Sequence, residues 1–498
     1  MTAASASRLA PAAALTRPRA RPRRLRIESH TRAHTTARVC FACARPSVRC
    51  MPATNENERP RARAFVLVRA SAAGFADGDV KPSTTTASQT RVIVICLGIA
   101  MLLASADRTI FAAAALSIKA ELAMSLKDVG AAQSAFLWGY GVTQLAAGAA
   151  SDRYGGAKVL LFGLFLWSMA VALTPLSGGV YAILAARFMF GAASGCALPA
   201  SAAAVAAHVP AERRSGALST IFALFNIGSA FGLAAAGGLI ATFGWKFVFY
   251  LFGLFGACFA FLAYSLMPES VKQYVPRVSS AVASETTSSK DAELEVDDLP
   301  TEVATQLVAL LWCHIVVNWG FMILQSWLPI YLAQDLGLSI ASSGLAGAIP
   351  WLFTAFMSFS SGQVADKLIN KYNWEKWKVR RLAMNIATIG PAVCLFALKT
   401  TTTPAVALGF VIATLGLQAV AVAGYHSYLQ DVAPSRAGAI LGFTNTVGVV
   451  AAIIANMVTG ASVEATGSFQ TVFLYTASMY LSSCFAWNSF LKGQMLFP

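Results

Sequence analysis

Arg108 sits inside the unbroken apolar stretch 92–118 (VIVICLGIAMLLASADRTIFAAAALSI), a length that reads as a helix crossing a bilayer. At 1.5 Å per residue it lies roughly 24 Å from Val92 and roughly 15 Å from Ile118, so its guanidinium falls near mid-membrane. A charge at that depth is costly and marks a functional site by default. Arg187 lies in a second apolar run, roughly 10 Å from its start at Val180. The two runs pass in opposite directions, which brings both guanidiniums to a similar level. Two planar donor forks facing one cavity would clamp a tetrahedral or carboxylate oxyanion. Asp107 points about 100° away from Arg108 around the helix. It reads first as a structural partner and second as a group that takes a coupling ion or proton.

Other polar residues in apolar runs extend this candidate site. Gln133, Tyr140, Asn318 and Tyr331 are substrate-lining candidates, with Trp138, Gln144 and Gln325 behind them. Asp152, Arg153 and Asp366 stand at the ends of runs, where a carboxylate can accept from helix N-terminal amides in one conformation only, so they read as gate residues. His314 and His426 have no partner at a fixed spacing and are read as interior hydrogen-bonding residues outside the site. Six cysteines scatter singly through the apolar runs, and Cys40-x-x-Cys43 has no second pair, so no metal site is expected.

Positioning these side chains falls to helices, because every backbone amide inside lipid must be satisfied within its own segment. Twelve runs qualify: 92–118, 129–150, 159–177, 180–207, 217–241, 245–267, 306–332, 341–364, 382–399, 404–430, 437–460 and 469–492. Of 498 residues 56% are hydrophobic and 12% charged, with 37 Gly and 31 Phe. That balance belongs to a helical bundle in lipid. A Pro-, Ser- and acid-rich segment, 268–305, divides the runs six and six. The halves echo each other: Gly148-x-x-x-Asp152-Arg153 recurs 214 residues on as Gly362-x-x-x-Asp366-Lys367, and VPAERRSGAL (209–218) recurs as VAPSRAGAI (432–440). The expected fold is an all-α membrane protein of the major facilitator type, with twelve transmembrane helices in two six-helix pseudo-repeat bundles, 91–267 and 306–498.

The net charge of +15 is concentrated at the front, where residues 1–70 hold fifteen Arg against Glu28, Glu56 and Glu58. Rich in Ala, Ser, Thr and Arg, this stretch reads as a plastid transit peptide, followed by a disordered segment at 71–90. Without the leader there is no basic stripe to bind nucleic acid. Short loops rich in Lys and Arg lie on the side of the termini, which the positive-inside rule assigns to the inner face, here the stroma. The membrane is expected to be the inner envelope or the thylakoid. No GxSxG, HExxH or nucleotide loop is present, so the chain does not read as an enzyme.

The motifs resemble the plant plastid anion transporter branch of the anion:cation symporter family, related to vesicular glutamate and sodium-phosphate cotransporters. The likeness runs through Asp107-Arg108, QSAFLWGYGVTQ (133–144), SDRYGGAKVL (151–160), Arg187 with Gly191, Gly195 and Pro199, NWG (318–320), IPWL (349–352), QDVAPSRAGAILGFTNTVG (430–448) and Trp487-Asn488. It implies alternating-access transport of inorganic phosphate or a small organic anion, with Arg108 and Arg187 around the substrate, Na+ or H+ as coupling ion, no cofactor and a monomer in lipid. Ascorbate or a carboxylate is the rival cargo, and an anion sensor without flux the more distant alternative. The chain departs from the family where Ser194 replaces a usual Glu, where Val317 replaces a His or Arg, and where Tyr428-Leu429 replaces Asn-His.

Overall fold

The computed structural model describes residues 86–273, 300–401, 403–433 and 437–496. The expected transit peptide, most of the 71–90 segment and most of the 268–305 loop lie outside these residues.

Helix α1 (Ala87–Glu121) starts five residues before its apolar run, because Thr86 and Gln89 close a capping box over the first turn. Helix α2 (Leu126–Tyr154) opens on a second such box between Ser125 and Asp128. Gly155, at φ +91°, turns the chain into α3 (Gly156–Leu173). The fourth pass, expected as one helix, is broken at Gly195-Cys196 into α4 (Val180–Ser194) and α5 (Ala197–His208). Helices α6 (Ala211–Phe243), α7 (Trp245–Leu266) and the short α8 (Glu269–Lys272) complete the first half.

The second half holds α9 (Thr301–Gln334), α10 (Ile340–Asn370) and α11 (Lys376–Leu398). Its fourth pass is also interrupted: α12 (Pro404–Ala419) gives way to a π-helical turn, Val422–His426, and then to α13 (Ser427–Val432). Helices α14 (Ala437–Thr466) and α15 (Gln470–Phe490) follow. Among the described residues, ten helical passes are long and apolar enough to cross a membrane. The remaining two expected passes, α2 and α15, are long enough but more polar. Helix α2 is polar for a reason: it packs against the other half of the molecule and carries site residues rather than facing lipid all round.

The internal repeat appears directly in the packing. Ser125 and Ser339 are separated by the 214-residue repeat, and each caps the second helix of its half. Gly130 and Gly344 share the same spacing. A Cβ on Gly130 would stand 2.6 Å from the Asn456 carbonyl oxygen of α14, and one on Gly344 would stand 2.7 Å from Gly237 Cα of α6. Each half therefore presses the glycine face of its second helix onto the fifth helix of the other, an approach only small residues permit. Ser134 Oγ donating to Ile453 O at 2.9 Å and the Lys127–Glu464 ion pair at 3.5 Å reinforce one of these seams.

The seams close at one end only. Gly141 and Gly148 follow Ser134 down the same stripe of α2 at heptad steps, yet a Cβ at Gly141 would just touch Val449 and one at Gly148 would meet nothing within 4 Å. Gly362 lies five turns from Gly344 on α10, Gly216 three heptads from Gly237 on α6, and both also face open space. The halves meet around Lys127 and Glu464 and part toward Asp152 and Asp366. Gly130→Leu should cost the closed seam about 1–3 kcal/mol by overpacking. A cysteine introduced at buried Ser134 should then react with a membrane-impermeant maleimide much faster than in the Gly130 background. Equal labelling rates would refute the tight seam.

Candidate functional site

Arg108 comes to the middle of the molecule on α1 and reaches across to the second half, where its Nη2 donates to Met322 Sδ at 3.0 Å. Residues 108 and 322 are separated by the 214-residue repeat, so they occupy equivalent places in the two halves. Two equivalent positions can touch only on the axis that relates them. The contact therefore sets Arg108 on the pseudo-twofold axis of the bundle, where a path between the halves must run. Its guanidinium carbon also stands 4.8 Å from the Phe136 ring centroid, and the side chain remains partly exposed.

Arg187 stands 5.0 Å from the centroid of the same Phe136 ring, so the two cations lie no further apart than these two distances combined. It is otherwise enclosed: only 3% exposed, with Phe111 at 4.2 Å and Phe190 at 5.3 Å. Nη2 donates to Gln133 Oε1 at 3.2 Å, while Nε has no partner. Gln133 continues the chain by donating from Nε2 to Ser326 O of α9 at 3.3 Å. The arrangement depends on Gly139 and Gly191, where α2 and α4 touch backbone to backbone at Phe188 O and Phe136 O. In this conformation Arg108 is the reachable guanidinium and Arg187 is held behind Phe136.

Asp107, about 100° around α1 from Arg108, is 1% exposed, and neither carboxylate oxygen completes a hydrogen bond. Trp167 is close enough to interact with it, yet the Trp167 indole nitrogen and Ser168 Oγ are themselves unpaired by geometry. Tyr140 packs on Phe136 at 5.9 Å between centroids and lies within electrostatic reach of Arg108. Asn318 sits on α9 one turn before Met322. Tyr331, further along α9, is packed among Phe469 and Phe473 at 5.6 and 4.9 Å, and the structure does not bring it to the other candidates. Trp138 projects outward, 51% exposed.

Asp152, Arg153 and Asp366 are exposed at the parted end, where the Arg153 guanidinium stands 5.4 Å from the Tyr154 ring. A half-buried ion pair at that end escaped the sequence reading. Arg380 Nε donates to Asp431 at 2.8 Å and its Nη1 to Ala423 O at 3.2 Å, tying α11 to the broken tenth pass. A cavity of about 280 Å³ between the halves also escaped it, bordered by Asn226 of α6 and by His314, Asn318, Gln418, His426 and Asn445. The two histidines that looked solitary stand with ring centroids 6.2 Å apart. The available signal was their placement on the seventh and tenth passes, the repeat equivalents of the two that carry Arg108 and Arg187. No cluster of three or more metal-ligating side chains occurs among the described residues.

A helical bundle of two repeats around an axial cation is the architecture of a membrane carrier, and the comparison with known proteins agrees. Residues 97–456 match the model of the Major Facilitator Superfamily, and the chain belongs to that family. Over 413 residues it is 33% identical to the sodium-dependent phosphate transport protein 1, chloroplastic, of Arabidopsis thaliana, covering 81% of this chain and 79% of that one. The chloroplastic ascorbate transporter of the same plant is 32% identical over 410 residues, covering 81% and 75%. The chain thus lies within the plastid anion transporter branch. Among solved structures, a bacterial homologue of the lysosomal transporter Spinster, inward-facing and unoccupied, superposes with a TM-score of 0.66 at 15% identity, covering 82% of this chain and 99% of that one. A D-xylose-proton symporter gives 0.63 at 17% identity, covering 81% and 99%.

Replacing Arg187 by Lys keeps the charge but loses the flat fork that fits among three rings and Gln133. Anion half-saturation should rise about tenfold. An unchanged value in uptake assays would remove Arg187 from the site.

Proposed function

We propose that this protein carries a small anion, inorganic phosphate or a small organic anion, across a plastid membrane by alternating access. The observation that carries this reading is the position of Arg108: on the axis between two halves that are closed at one end and parted at the other, against a thioether and an aromatic face and with no ion pair among the described residues. An entering anion can displace such partners cheaply, because a charge-assisted bond to an oxyanion is stronger than either. Rocking one half against the other about the level of Arg108 would then close the parted end over the anion and open the seam lined by Gly130 and Gly344. The printed substrates of the relatives, phosphate and ascorbate, are both anions a guanidinium can hold.

The 91–267 and 306–498 bundles are the moving bodies in this account. The Lys- and Arg-rich loops at the parted end support a stromal orientation for it. The inner envelope and the thylakoid are both compatible with that orientation. One chain supplies both halves of the path, so a monomer suffices, and the activity is transport without enzymatic chemistry. Asp152, Arg153 and Asp366 form the gate at the stromal end.

Asp107 is assigned the coupling role. A carboxylate buried with no hydrogen-bond partner is expensive to keep charged, so it would bind H+ or Na+ in part of the cycle. Ser194, in place of an ionisable residue of the family, donates only to Gly191 O at 3.2 Å and offers no second site there.

Purified protein in liposomes should take up labelled phosphate or a competing organic anion, and Arg108→Ala should abolish that flux. Asp107→Asn should keep anion exchange while losing accumulation driven by a proton or sodium gradient. Flux that persists in Arg108→Ala would defeat the anion-site reading. Full gradient-driven accumulation in Asp107→Asn would defeat the coupling assignment.

A further inference from the structure

A polar furrow runs between α11 and α15, the third and sixth helices of the second half. At its mouth stands Arg381, which immediately precedes the apolar run expected at 382–399 and so falls at headgroup level at the parted end. The side chain is exposed, and its Nε donates to Asn488 Oδ1 of α15 at 2.6 Å. Asn385 and Asn488 in turn exchange amide hydrogen bonds, at 2.7 Å from Asn488 Nδ2 and at 3.3 Å from Asn385 Nδ2. Asn488 Nδ2 also donates to Cys484 O at 2.8 Å. This amide pair fixes one edge of the guanidinium. The two Nη groups make no hydrogen bond and the charge no ion pair among the described residues.

The internal repeat shows that packing alone does not require this furrow. Phe165 stands nine residues into α3, as Asn385 does into α11. There the third and sixth helices of the first half meet through rings, Phe165 against Phe261 of α7 at 5.3 Å between centroids. The connector ahead of α11 departs from the repeat as well: Lys376 follows Asp366 by ten residues, whereas Gly156 follows Asp152 by four. The longer connector brings Lys371, Tyr372, Trp374 and Lys376 to this end, the basic and aromatic mixture that settles at an anionic membrane surface. Held by Asn488, Arg381 is not free to snorkel as a lone interfacial arginine does. Deeper in the membrane the exposed side chains on these helices are apolar, with Leu382 and Ile386 on α11 and Leu481 and Phe485 on α15.

We infer that the furrow between α11 and α15 binds an anionic glycerophospholipid of the leaflet at the parted end, its phosphate on Arg381 and its acyl chains along the exposed apolar side chains below. A guanidinium already fixed through Nε presents its remaining donors as a fork that matches two phosphate oxygens. A soluble oxyanion would use the charge and leave the apolar wall unused, and a zwitterionic lipid brings an ammonium that offsets its own phosphate. Arg380, the preceding residue, points about 100° away and bonds Asp431 and Ala423 O. One turn of α11 therefore carries an outward lipid site and an inward tie to the broken tenth pass, so a bound headgroup steadies the turn that holds that pass. The lipid is a resident partner, distinct from the transported anion at Arg108.

The test titrates the full chain, purified in neutral detergent, with phosphatidylglycerol and with phosphatidylcholine of the same acyl chains, counting bound lipids by native mass spectrometry. The first phosphatidylglycerol should bind at least about tenfold more tightly than the first phosphatidylcholine, the worth of a charge-assisted hydrogen bond. Arg381→Gln should weaken the phosphatidylglycerol about tenfold, and Arg381→Lys, which keeps the charge without the fork, about threefold or more. Asn488→Leu should act in the same direction. Lys376→Gln, about 140° around α11 from Arg381, should change binding less than about twofold. Glycerol phosphate, the headgroup without chains, should not displace the bound lipid. Equal affinity for the two lipids, equal losses in Lys376→Gln and Arg381→Gln, or displacement by glycerol phosphate would each overturn the inference, pointing respectively to no selectivity, a diffuse basic surface or a free-anion site. None of these outcomes bears on anion transport, which is read separately by uptake.

Discussion

Arg108 is a cation on a symmetry axis with no counterion among the described residues, and much of the structure follows from that constraint. A carboxylate opposite it would form a pair that the low dielectric makes hard to open. A thioether at 3.0 Å and a phenyl face at 4.8 Å instead stabilise the charge without committing it. The second cation, Arg187, shares the same ring and is kept from collapsing onto solvent by Phe111, Phe190 and Gln133. Asp107, the nearest acid in sequence, is turned away into the first half and cannot neutralise the axis. A positive centre is thereby left for a ligand that arrives and departs.

Glycine does the mechanical work around that centre. Gly139 and Gly191 bring α2 and α4 into backbone contact and so place Phe136 beside Arg187. Gly130 and Gly344, repeat equivalents, let each second helix seat on the opposite fifth helix and close one end of the path. Both seams are held by close packing, with the Ser134–Ile453 hydrogen bond added in one of them, and neither holds a buried ion pair among the described residues. The exposed Lys127–Glu464 pair contributes little by itself. Such seams can come apart and re-form at modest cost, as two alternating conformations require.

Much of this was legible in the residues. The depth of Arg108 follows from helix rise alone, and the GxxxD repeat gave the 214-residue spacing that later set Arg108 against Met322. The seclusion of Arg187 was not legible, because depth along a helix says nothing about which rings from α1 and α2 close over it. The interruptions at Gly195 and at Val422–His426 were missed because both lie within apolar runs, and hydropathy does not register a change of helical pitch. Tyr331 looked like a lining residue for the same reason that any polar atom in an apolar run does; its neighbours are aromatic and belong to the second half's own core. His314 and His426 were set aside as solitary because no sequence spacing brings residues 112 positions apart together, whereas the π-turn and the helix packing do.

The central claim is that the two ends open and close in opposition about the axial cation. Spin labels at Lys127 and Glu464 report the closed end, and labels at Tyr154 and Lys371 report the parted end; all four positions are chain-surface sites away from Arg108. Distance distributions measured with and without saturating anion should move in opposite senses, shortening between 154 and 371 while lengthening between 127 and 464. Distances at both ends that stay fixed, or that change in the same sense, while the anion demonstrably binds would contradict the account.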